Sequence, residues 1–103
     1  EVTFAVSSYI VLNDESSVDF LRDKVFSKMD SGLKLVPFVC MGGEDFSEFT
    51  CRNHVPGALV FLGIADPEKG SDHPHHAPNF NIDEDMLPVG VETFVRTALE
   101  FLK

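Results

Sequence analysis

The residues best equipped for chemistry lie in one polar stretch, Asp72-His73-Pro74-His75-His76, which holds three of the four histidines next to a carboxylate. Neutral imidazoles are the commonest protein ligands for zinc-like metals, and a neighbouring acid can orient them. Adjacent side chains do not easily all reach one ion. One or two of the three are therefore ligand candidates, and the others serve as outer partners or are simply solvated, which is the ordinary state of a loop histidine. A second group is Met41-Gly42-Gly43-Glu44-Asp45-Phe46. Its glycine pair permits close backbone approach directly before two carboxylates, an arrangement that suits a pocket wall. The plainer alternative is a loop-to-helix junction whose acids favour the positive end of the helix dipole.

Other chemistries find little support. Ser7, Ser8, Ser16 and Ser17 fall in strand-like or capping contexts, and neither cysteine is flanked by an obvious base, so covalent catalysis is disfavoured. Cys40 and Cys51 are too few for a disulfide framework and too far apart for a CxxC pair; they read as reduced, partly buried thiols. Asp83 and Glu84 open a helix and answer to its dipole rather than to acid–base catalysis. No glycine-rich phosphate loop followed by lysine occurs.

The elements that must position these groups follow from periodicity. Even positions Val2, Phe4, Val6, Ile10 and Leu12 are apolar, which predicts a half-buried strand over residues 2–12. The spacing then changes to Val18, Leu21, Val25 and Met29, one stripe of a helix, with Ser16 and Asp19 as a capping box and Gly32 at the far end. Residues 36–39, around Pro37, read as an edge strand, and residues 44–49 as a short helix. His54-Val55-Pro56-Gly57 is a turn. The run ALVFLGI at 58–64 predicts a central strand covered on both faces. Residues 66–80 form a long polar loop, a kind that is often functional. Val91, Phe94, Val95, Ala98 and Leu102 mark a closing amphipathic helix that tolerates Pro88 near its first turn. The resulting order, β-α-β-α-β-loop-α, predicts an α/β layered fold.

Composition narrows the function. The chain has 103 residues, 44% of them apolar and ten of them Phe, enough for one core but no more than one domain. Seventeen acids against eight bases give a net charge of −9, which repels nucleic acid and anionic lipid. The longest apolar run, residues 58–65, is far short of the ~20 residues that cross a bilayer. No membrane or nucleic-acid partner is expected, and the expected location is the cytoplasm. The chain opens on Glu1 with a strand-like pattern already under way, which reads as a cut inside a larger protein.

The segments MGGEDF, VPG before an apolar strand, and HAPNFNIDEDMLP occur in fixed order. Together they resemble the C-terminal end of the M20 metallopeptidases, in the branch of hippurate hydrolases, N-acyl-amino-acid deacylases and auxin-conjugate hydrolases. The likeness runs from Tyr9 to the C-terminus. It implies the three-layer α/β/α catalytic domain of zinc exopeptidases over residues 13–103, with residues 1–12 returning from a lid or dimerisation domain. His76, which opens HxPxF, is implied as a ligand of a two-metal centre of Zn, Mn, Co or Ni. Gly42, Gly43 and Glu44 are implied to border the substrate, while His73 and His75 match no ligand position. The family's Cys-His ligand motif, its glutamate pair with the general base and a further ligand histidine are absent. The resemblance therefore implies a piece of an amidohydrolase, inactive alone, whose partners are the rest of the enzyme, an N-acyl amino acid or small peptide, and a second copy through the missing domain. A non-catalytic metal-binding or protein-interaction module, or a degenerate family member, is the alternative.

Overall fold

The computed structural model describes residues 1–3, 9–29 and 32–103. The middle of the strand expected at 2–12 lies outside the described residues, as do two residues before Gly32. The chain divides into two compact units, residues Glu1–Leu59 and Val60–Lys103.

In the first unit, α1 (Glu15–Phe20) runs on through a π-type turn, Leu21–Val25, and a 3-10 turn, Phe26–Lys28. The helix starts where the stripe required, but its cap is Asp14, not Ser16. The Asp14 carboxylate accepts from the Ser17 N–H at 2.9 Å and from the hydroxyls of Ser16 and Ser17 at 2.5 and 3.0 Å. It thereby satisfies a backbone donor that the first turn leaves without a partner. Asp19, expected in the capping box, instead pairs with Arg22 at 2.8 Å. Val25 and Met29 are the buried apolar side chains among the described residues. A second π-type turn spans Glu48–Arg52, later than the helix expected at 44–49.

In the second unit, Pro67–Lys69 and Glu84–Met86 are single 3-10 turns, and α2 is Leu87–Phe101 with Pro88 in its first turn. The helix was legible because fifteen residues of 3.6-residue period outweigh one proline that sits where no intrahelical N–H is needed.

The α/β expectation is corrected: among the described residues there is no strand and no sheet, so the order β-α-β-α-β-loop-α and the three-layer sandwich are not formed. An apolar run becomes a strand only when neighbours take up its N–H and C=O groups. Among the described residues, Leu59 and Ile64 of this run are met by isolated partners rather than by a ladder. The Asn13 side-chain amide accepts from the Leu59 N–H at 2.8 Å and donates to its C=O at 2.9 Å, and Ile64 O accepts from the Asp83 N–H at 3.0 Å. Val60 and Phe61 remain about half exposed. Residues 36–39 likewise form no strand, and Val39 is almost fully exposed.

Candidate functional site

The histidine loop is built from two successive turns. The Ala77 N–H donates to Pro74 O at 3.2 Å, which puts His75 and His76 at the centre of the first, and the Phe80 N–H donates to Ala77 O at 3.0 Å to close the second. His76 has φ +67°, a left-handed conformation at the third position of a turn that ordinarily takes Gly or Asn. A β-carbon there is strained. Such strain is found where the side chain itself is needed. His75 lies edge-on to the Phe80 ring, with centroids 5.1 Å apart and planes at 86°. His73, His75 and His76 are all exposed.

The base of this loop is tied down. Asp66 caps the Pro67–Lys69 turn by accepting from the Glu68 N–H at 2.9 Å, and Gly70 closes it at φ +64°. Ser71, 3% exposed, accepts from the Asp66 N–H through its hydroxyl at 2.8 Å. Across the loop, the Lys69 ammonium bonds Asp83 and Asp85 at 2.6 Å each. That pairing holds the Asp83 carboxyl below the usual carboxylate range and pushes the Lys69 ammonium up. Asp83 also caps Glu84–Met86, so its role as a helix-start acid is realised together with an ion pair that spacing did not disclose.

Gly42, Gly43 and Glu44 belong to the first unit, and His76 to the second. The Glu44 carboxylate accepts from the Phe46 N–H at 3.1 Å, and Glu44 O accepts from the fully buried Ser47 hydroxyl at 2.9 Å. Glu44 thus closes its own turn. Neither Gly42 nor Gly43 has a positive φ, and a β-carbon at Gly42 would meet nothing nearer than Cys40 Sγ at 3.9 Å. Among the described residues nothing demands glycine at 42. Gly57 is different: a β-carbon there would come within 3.2 Å of Thr50 and 3.3 Å of Phe46.

Sequence reasoning missed an open groove of about 390 Å³ in the first unit, lined by Asp14, Thr50, Cys51, His54 and Gly57 among others. His54 has φ +55° and directly follows Asn53, which ends the Glu48–Arg52 turn. The Val55 N–H donates to Phe49 O at 3.3 Å across it, so the left-handed residue serves as a helix stop. Both cysteines are free; Cys40 is exposed rather than partly buried, and the Cys51 thiol donates to Ile10 O at 2.8 Å.

Among the described residues no three His, Cys, Asp or Glu side chains converge to hold a metal ion. His76 offers one exposed imidazole, and a metal site needs several donors, so the described residues do not by themselves make a metal centre. No helix among them is long and apolar enough to cross a membrane.

Comparison with known proteins agrees with the family resemblance. The chain is 36% identical over 91 residues to IAA-amino acid hydrolase ILR1-like 6 of Arabidopsis thaliana, covering 87% of this chain and 19% of that protein. It is 32% identical over 102 residues to thermostable carboxypeptidase 2 of Saccharolobus solfataricus, covering 98% of this chain and 25% of that protein. The chain thus spans about a fifth to a quarter of the length of these curated relatives. No solved structure matches it significantly. The model of peptidase family M20/M25/M40 matches residues 1–100, and the chain belongs to that family.

Proposed function

We propose that this chain forms the C-terminal part of the catalytic domain of a metal-dependent amidohydrolase that cleaves the amide bond of N-acyl amino acids or small peptides. His76 supplies one ligand to a dinuclear Zn, Mn, Co or Ni centre whose other donors, and whose general base, come from outside this sequence. The observation that carries the reading is His76 itself: an exposed imidazole kept at a backbone position where glycine would be unstrained, inside HAPNF. The relatives' names support the reaction class, one being an IAA-amino acid hydrolase and another a carboxypeptidase.

Exposed apolar surface supports the partnership with the rest of an enzyme. Along α2 and just past it, Val91, Phe94, Val95 and Leu102 are each more than half exposed, although they belong to the stripe that periodicity assigns to a core. In the proposal the remainder of the catalytic domain covers it. Gly42, Gly43 and Glu44 border the substrate there, where glycine lets a ligand approach the backbone closely.

The test is hydrolysis of an N-acyl amino acid panel with added divalent metals by three proteins: the isolated chain, the full-length protein and its His76→Ala variant. Activity in the unmodified full-length protein alone is the expected result. A fully active His76→Ala variant would overturn the ligand role, and an inactive full-length protein would overturn the enzyme reading.

A further inference from the structure

The hydrogen bonds inside the histidine loop are local: Ala77 to Pro74, Phe80 to Ala77, and the ring contact of His75 with Phe80. They shape the turn that carries His76, but they do not fix where that turn stands. Its placement depends on the base, where residues before and after the loop are held together. We propose that Lys69 is the positioning residue of this loop, bridging Asp83 and Asp85 so that residues 71–82 are clamped at both ends and the His76 turn is held in place. The inference rests on the proposed role of His76 and adds the device that orients it.

An isolated exposed lysine–carboxylate pair contributes little, because water screens it and two long side chains must be ordered. Lys69 is itself 44% exposed and its Asp85 partner 84%, so it is the shielded Asp83 arm and the sharing of one ammonium that set it apart. Its ammonium makes two charge-assisted bonds of 2.6 Å, spanning 14 and 16 residues of chain. Asp83 is only 12% exposed and is already fixed, since its N–H donates to Ile64 O and its carboxylate accepts from the Asp85 N–H at 3.2 Å. On the other side, Lys69 is the last residue of a turn locked by the Asp66 cap, Gly70 and the buried Ser71 hydroxyl. The two ends of the loop, already joined by the backbone bond from Asp83 to Ile64, are thus tied a second time through the Lys69 cation. Closing a loop of this length removes chain entropy that the loop would otherwise regain by opening.

The test uses the full-length protein with Lys69→Met, which keeps the apolar stem and deletes the charge, Lys69→Arg, which keeps the charge, and His76→Ala. Amide hydrogen exchange is followed over residues 71–82 and over α2, together with turnover of an N-acyl amino acid. In Lys69→Met, exchange at 71–82 is expected to speed up about tenfold with α2 unchanged. Its kcat is expected to fall about tenfold with KM within about twofold, because a misplaced loop harms the reacting geometry more than binding. Lys69→Arg is expected to restore both. Unchanged loop exchange in Lys69→Met would overturn the proposal, as would faster exchange with normal kcat, or an Arg variant that behaves like Met. Normal turnover in His76→Ala would instead sink the functional reading alone, and the exchange data would still decide whether Lys69 holds the loop.

Discussion

Two histidines in this chain adopt left-handed backbone conformations, and their neighbours give them different meanings. His54 stops a helical turn, a task for which glycine is the better residue. Replacing His54 by Gly is expected to stabilise the full-length protein by about 1 kcal/mol, read as a higher Tm, with activity unchanged. His76→Gly is expected to give a similar gain in stability while abolishing amide hydrolysis, so a single pair of thermal melts and assays separates a strained cap from a strained site. The sequence showed which histidine the HAPNF motif singles out. It did not show the strain, since φ depends on the turn hydrogen bond between Ala77 and Pro74 rather than on residue type.

At the scale of elements, α1 depends on Asp14. Its carboxyl is held below its ordinary value of 3.8, first by the Ser16 hydroxyl and then by the Ser17 N–H and hydroxyl. A lowered folded-state value means that the ionised form is the one bound by the fold. The contribution is fully present above about pH 3.8 and is lost as pH falls through the lower folded value. The Ser17 amide is therefore expected to lose protection at acid pH, and Asp14→Asn to remove that pH dependence while keeping an acceptor. The Asp83 carboxyl, held down chiefly by Lys69, has the same sign. Val25 is fully buried beyond α1, and Val25→Ala is expected to cost about 2 kcal/mol in a thermal melt of the full-length protein.

Elements differed in how far they could be read in advance. The α2 pattern needs nothing from elsewhere, because its hydrogen bonds lie within the helix. The cap of α1 lies two residues before the one the pattern predicts because Asp14 and Ser16 are both good caps, and only geometry shows that Ser16 donates to Asp14. The run at 58–64 was read as a strand on hydrophobicity alone, which reports burial but not pairing. Lys69 was invisible, since its partners lie 14 and 16 residues away with no periodicity to announce them.

Across the whole molecule, apolar composition and burial do not match. Apolar residues are 44% of the sequence, yet Phe94, Val39 and Met41 are 78%, 91% and 102% exposed. Among the described residues only Val25 and Met29 are buried apolar side chains, which leaves little of the main driving force of folding. The isolated chain is expected to bind a hydrophobic dye strongly and to melt without a cooperative transition by circular dichroism. A sharp transition without dye binding would show that it folds unaided. The central claim, however, is that His76 holds a metal, and the direct measurement is calorimetric titration of the metal-free full-length protein with zinc, beside its His76→Ala variant. Two bound ions per chain, with one weakened more than about tenfold by the substitution, is the predicted result. Identical titrations for the two proteins would contradict it.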